Sequence, residues 1–273
     1  MYPKVIRFSS LNESTNNKIN FVILEALITL FFLRYFIELS YKGTRYHGWQ
    51  IQPDANTVQE EITNAITTIL QENIQIVGAG RTDAGVHASQ MFAHFDTFKI
   101  LSKEFVFKFN SLLPNDIVIK SLKKVSENTH ARFDAVSRSY EYRVLLGRNP
   151  FLLETTWQLH QKELAIEKMN DAAKILFEYE DFESFSKVKT DVKTFNCIIT
   201  KAVWILEGER LIFYITANRF LRNMVRAIVG TLVEVGLGKK SIEDFKKIIE
   251  SKKRSEAGVS VPAQGLFLTQ VNY

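Results

Sequence analysis

Apolar and polar positions change their period several times along this chain, and each change marks an element. Residues 35–40 (Tyr-Phe-Ile-Glu-Leu-Ser) read as a strand, followed by a polar, aromatic loop to Pro53. Apolar positions then recur at helical spacing at Val58, Ile62, Ala65, Ile66 and Ile69. Thr57, with Glu60 three residues on, supplies a capping box, so a helix is predicted through about Gln71. Two apolar runs, 74–77 and 90–95, read as strands on either side of a glycine-rich turn. A helix over 103–112 stops before Pro114, and 117–125 is a further strand. From 139 to 146 the pattern alternates, with Tyr140, Tyr142 and Val144 on one face. Beyond it the chain predicts a helix over 164–179, strands over 199–206 and 210–216, helices over 219–236 and 241–252, and a last strand over 266–272. The order implies an α+β protein of two similar units, 34–134 and 135–273.

Residues 1–33 break this rhythm. The first twenty are polar and rich in Asn and Ser, whereas 21–33 are nearly all apolar, interrupted by Glu25. That apolar run is short of the ~20 residues that span a bilayer, and no small-residue cleavage site follows it. The expectation is an unstructured or spurious upstream extension, with the native start at Leu33 on an alternative start codon and no membrane anchor. N-terminal sequencing of the native protein checks it.

Composition narrows the class. At 273 residues, with 46% hydrophobic and 24% charged residues, the chain reads as an ordinary globular protein of one or two domains. A net charge of +5 tilts the partners mildly toward polyanions. The lone Cys197 rules out an internal disulfide and a cysteine-cluster zinc site, which suits a reducing, cytoplasmic compartment. The five histidines show no ligand-pair spacing on a helix, so no metal is expected. Two phosphate-binding motifs also fail. The third glycine of a dinucleotide fingerprint starting at Gly78 is replaced by Asp83, and Val233 stands where a phosphate loop ending at Gly238-Lys239 needs glycine.

Candidate chemistry gathers at the turn Gly78-Ala79-Gly80-Arg81-Thr82-Asp83-Ala84-Gly85-Val86-His87-Ala88. Its glycines permit a backbone shaped to present a side chain. A nearby guanidinium favours the ionised form of Asp83, which suits a nucleophile or electrostatic stabiliser rather than a general acid. The same residue could equally close an Asx-turn on its own backbone. In the helix predicted over 219–236, Arg219, Arg222 and Arg226 form a stripe beside the apolar face of Leu221, Met224, Val225, Ile228, Val229 and Leu232. Such a stripe is either a solvated edge or a source of one arginine turned toward a buried carboxylate. Tyr140 is either a satisfied strand tyrosine or a stacking surface for a base. Arg132, Arg138, Arg143 and Arg148 lie among aromatics in a stretch able to hold phosphates and unstacked bases. Lysines at 239, 240, 246, 247, 252 and 253, with Arg254, offer at most a nonspecific backbone-binding face.

The turn resembles the active-site signature of the TruA-type tRNA pseudouridine synthases, and further blocks follow in order. These are Arg34-Tyr35-Phe36 and Tyr46-His47-Gly48-Trp49-Gln50, then His130-Ala131-Arg132-Phe133-Asp134-Ala135 and Arg138-Ser139-Tyr140-Glu141-Tyr142. Next come Asp181-Phe182-Glu183-Ser184-Phe185, the run from Phe220 to Gly230, and Ala257-Gly258 through Leu268. The resemblance covers residue 34 to the C-terminus. It implies two ferredoxin-like α+β halves sharing a sheet, with a central RNA-binding cleft. It implies isomerisation of uridine to pseudouridine at positions 38, 39 and 40 of the tRNA anticodon stem-loop, by a homodimer without a cofactor. By the same resemblance Asp83 is the nucleophile, Arg226 its partner, and Tyr140 the active-site tyrosine that stacks on the base or moves a proton. Arg81 and Arg132 are implied in substrate binding. Where many members carry arginine or proline after the Asp-Phe-x-Ser-Phe segment, this chain has Thr194-Phe195-Asn196-Cys197, a departure from the family pattern that leaves the role of that loop open.

Overall fold

A single mixed sheet organises the protein. In the computed structural model, which describes residues 32–160, 163–188 and 192–273, its strands are β1 (Leu33–Tyr41), β2 (Val77–Gly78), β3 (His87–Thr97), β4 (Ile117–Val125), β5 (Ser137–Leu146), β6 (Trp157–Leu159), β7 (Ile199–Glu207), β8 (Arg210–Ala217) and β9 (Leu266–Asn272). They run in the order β4-β1-β3-β9-β5-β8-β7, with β2 beside β3 and β6 beside β5. Five α-helices are described: α1 (Val58–Leu70), α2 (Phe105–Leu112), α3 (Ile166–Ile175), α4 (Met224–Gly236) and α5 (Ile242–Ser251). The α+β class expected from the sequence holds. The extension expected over residues 1–32 lies outside the described residues except for Phe32. Among the described residues no helix is long and apolar enough to cross a membrane.

The sheet carries two clusters of buried side chains. One gathers Ile37 and Leu39 of β1, Met91 and Phe95 of β3, Ile62 and Ile66 of α1, and Phe109 of α2. The other gathers Phe213 of β8, Met169 of α3, Ile228 of α4, Phe245 of α5, and Phe182 and Phe185. Each fully buried side chain of this kind contributes about 1.5–3 kcal/mol, so the clusters fix which strand faces turn inward. Tyr140 packs against both. β9 bridges the clusters, with Leu266 in the second and Leu268 and Val271 in the first, and it joins β3 along a short parallel ladder that pairs His87 with Phe267 and Ala88 with Leu268.

Several boundaries differ from the sequence reading, each for a local reason. The helix expected over 219–236 begins only at Met224, because Asn223 before it adopts a left-handed φ of 67°. The strand expected over 74–77 shrinks to Val77–Gly78, since the Ile76 carbonyl accepts from the Gln59 side chain at 2.6 Å instead of joining a ladder. The strand expected over 90–95 extends to His87–Thr97 and so takes in the end of the glycine-rich signature. The helix expected over 164–179 tightens into a 3₁₀ turn at Leu176–Glu178. Thr57 caps α1 by accepting from the Glu60 backbone, whereas the complete reciprocal box is made at α5 by Ser241 and Asp244.

Candidate active site

The turn between β2 and β3 is clamped by the segment that follows β1. Gly48 has φ 95°, and a Cβ there would lie 2.4 Å from the Thr82 carbonyl oxygen, so only glycine permits the approach. Across this contact the Trp49 amide donates to the Thr82 carbonyl at 3.2 Å and the Gly85 amide donates to the Tyr46 carbonyl at 3.1 Å. The Tyr41 and Thr82 hydroxyls share a hydrogen bond of 2.8 Å. Burial pushes the Tyr41 hydroxyl up, partly offset by that bond with Thr82. Asp83 closes the turn through its own carbonyl, which accepts from the Val86 amide at 3.2 Å.

Two guanidiniums face that carboxylate. Arg226 Nη1 lies 3.6 Å from Oδ2, and Arg222 Nε lies 3.7 Å from Oδ1, ion-pair separations rather than hydrogen bonds. Among the described residues these are the cations within 4.0 Å of it. Arg226 stands in the first turn of α4 and is anchored by donating from Nε to the Val261 carbonyl at 2.7 Å. Arg222 is far more open, its side chain 59% exposed against 20% for Arg226. The expected arginine stripe on a helix is therefore corrected. Arg222 precedes α4 and reaches Asp83 because the chain turns at Asn223. Arg219 goes elsewhere and donates to the Thr194 carbonyl at 3.3 Å.

Tyr140 lies half-buried on β5, edge-to-face with Phe220 at 5.1 Å. Its hydroxyl is pushed up to about 12, chiefly by burial, with Arg138 lowering it and the Asp83 carboxylate raising it. Tyr142, two residues on, is fully buried and donates its hydroxyl to the Pro262 carbonyl at 2.8 Å. Alternation alone put both tyrosines on one face; their depth separates them.

The arginines of the stretch 132–148 divide. Arg138 donates to the carbonyls of Ala135, Asn218, Ala79 and Arg132, and so ties the glycine-rich turn to the strands beyond it. Burial pulls its pKa down. Arg143 pairs with Glu141 at 2.8 Å and lies over the Phe267 ring. Arg132 is exposed beside Phe133, and Arg148 is exposed as well. Arg81 is exposed and does not pair with Asp83, contrary to the expectation from its nearness in sequence. Within the lysine cluster, Lys252 is engaged by Asp181 at 2.7 Å and Lys240 by Glu234 at 3.7 Å. Among the described residues no group of three or more His, Cys, Asp or Glu is placed to hold a metal ion.

A family model described as tRNA pseudouridine synthase matches residues 39–134 and 172–273. The chain belongs to this family. A tRNA pseudouridine synthase A of Bacteroides thetaiotaomicron is 52% identical over 244 residues, covering 88% of this chain and 90% of the relative. Proteins of the same name from Parabacteroides distasonis and Porphyromonas gingivalis are each 51% identical, covering 88% of this chain and 96% and 97% of their own lengths. Of the pseudouridine synthase match, the first segment contains Arg81, Asp83 and Arg132, and the second contains Arg222 and Arg226. Tyr140 falls between the two segments. The sequence reading of this pseudouridine synthase missed the pairing of Arg222 with Asp83 and the Arg138 staple. Neither had a signal that survives the fold, since the spacing of four between Arg222 and Arg226 implies a shared helix and Arg222 lies outside it.

Proposed function

We propose that this chain isomerises uridine to pseudouridine at positions 38, 39 and 40 of the tRNA anticodon stem-loop, with Asp83 as nucleophile. The observation that carries the reading is a carboxylate on a clamped turn with the Arg226 guanidinium of α4 3.6 Å from it. The chemistry breaks the N1–C1′ bond of uridine, rotates the uracil, joins C5 to C1′, and exchanges the C5 proton for one on N1. Atoms balance within the nucleotide, and no redox or hydrolytic partner is required. Asp83 assists cleavage of the glycosidic bond, and Arg226 holds the carboxylate in place. Tyr140 stacks on the target base and, as a protonated phenol, is suited to move a proton. Extruding the base costs a few kcal/mol. Arg81, exposed at the rim of the turn, serves that extrusion, and exposed Arg132 holds phosphate.

In this reading the units 34–134 and 135–273 are ferredoxin-like halves around the RNA cleft, and the enzyme works as a cytoplasmic homodimer. The test is tritium release from tRNA labelled at uridine C5, with wild type and Asp83→Ala side by side. Wild type releases tritium, and the variant falls by at least about 10⁴-fold. Equal release by both would mean that another group is the nucleophile; no release by wild type would remove the activity.

A further inference from the structure

The segment from Val261 to Gln264 receives three side-chain donors in succession. Arg226 Nε donates to the Val261 carbonyl at 2.7 Å, the Tyr142 hydroxyl to the Pro262 carbonyl at 2.8 Å, and His87 Nε2 lies 3.1 Å from the Gln264 carbonyl. On its other side His87 accepts from the Gly43 amide at Nδ1, at 3.0 Å. Both contacts are satisfied at once by the neutral imidazole carrying its proton on Nε2. The ring is buried and stacks on Phe267 at 4.4 Å. It stands four residues after Asp83 and at the first rung of the short β3–β9 ladder. The same segment touches the Asp83 turn directly, since a Cβ on Gly85 would lie 3.3 Å from the Ala263 methyl.

We infer that His87 is a positioning residue, which sets the distance between Asp83 and Arg226 by locking the Asp83 turn to the segment that anchors Arg226. The inference rests on the proposed isomerase reading. Its logic is geometric. Asp83 and Arg226 come from the turn before β3 and from α4, and 3.6 Å between them leaves little tolerance. A misplacement of about 1 Å at a reacting group can cost on the order of 10²-fold in rate. His87 ties the turn to the carbonyl row that holds Arg226, with Gly43 fixing the ring from behind.

The experiment compares His87→Phe, His87→Gln and His87→Asn in the full chain. Phe keeps the stack on Phe267 and loses both hydrogen bonds; Gln can still donate to Gln264, and Asn can still accept from Gly43. kcat and KM are read from tritium release. In parallel, exchange of the Arg226 Nε–H is followed by NMR, a readout that needs no activity. His87→Phe is expected to lose roughly ten- to a hundredfold in kcat with KM changed less than about twofold, and to speed Arg226 Nε–H exchange. His87→Gln recovers most of both, and His87→Asn does not. If His87→Phe does not fold, the contrast between Gln and Asn decides. Equal behaviour of Gln and Asn, or kcat of His87→Phe near wild type, overturns the inference. Absence of release by wild type would instead strike the isomerase reading, and the exchange measurement would still report on the lock.

Discussion

The two sides of the Asp83–arginine pair are built on different principles. The carboxylate side is held by backbone: Gly48 presses on Thr82, and two amide–carbonyl bonds cross between the loop after β1 and the turn. The guanidinium side is held by side-chain reach. Arg226 hangs from one carbonyl, and Arg222 is mostly in solvent. Under the proposed roles, a nucleophile benefits from a fixed position, whereas a cation that meets RNA benefits from freedom to exchange one anion for another. The pair thus combines a rigid anion with one anchored and one adaptable cation.

Substitution of the anchored cation should have the largest effect among the tests of this contrast. Arg226→Lys removes the Nε anchor on Val261 while keeping a charge, and kcat should fall about 10²-fold with tRNA binding retained. Steady-state tritium release with a parallel filter-binding titration checks this; loss of binding with kcat intact would invert the roles. Gly48→Ala probes the rigid side. At φ 95° and 2.4 Å from a backbone oxygen, the added methyl should destabilise the protein by about 1–3 kcal/mol, visible as a lower urea midpoint. An unchanged midpoint would mean the clamp is soft.

Arg222→Gln tests the adaptable cation. It should raise KM several-fold, leave kcat within about twofold, and reduce the salt slope of tRNA binding by somewhat less than one unit. A kcat loss matching that of Arg226→Lys would erase the distinction between the two arginines. The smallest effect expected is none. Because burial pushes the Tyr140 hydroxyl up to about 12 from an ordinary value near 10, the phenol keeps its proton well above pH 10. Tyr140 should therefore add no alkaline limb to kcat between pH 8 and about 10.5. A decline near pH 10 that disappears in Tyr140→Phe would show an ordinary, open tyrosine.

Much of this arrangement is local and so was legible in the sequence. The turn around Asp83 could be read from its glycines, α1 from Thr57 and its apolar spacing, and the approach of Arg226 from the family resemblance. What was not legible depends on pairings distant along the chain. The apolar spacing runs through Leu221 and Met224 without a break, so nothing in it announces that Asn223 turns left-handed and releases Arg222 from the helix. The period of two at Ile74 and Ile76 is real, as both are buried, but Gln59 claims the carbonyl that a strand would have used. Arg81 looked like the partner of Asp83 because it is two residues away. In the fold the arginines that reach the carboxylate are those more than a hundred residues further on.

The position of β9 has a consequence for how the protein is made. This strand, 266–272, is inserted between β3 and β5, and its Leu268 and Val271 complete the core cluster built mostly from residues before 120. Its pairing with His87 closes a loop of some 180 residues. During vectorial synthesis β2 covers this edge of β3 only at Ala93 and His94, so the His87–Ala88 end stays open to other strands until β9 emerges. Closure at such sequence separation is slow in itself. The Val261 carbonyl that anchors Arg226 stands five residues before this strand, so the anchor and the strand leave the ribosome together.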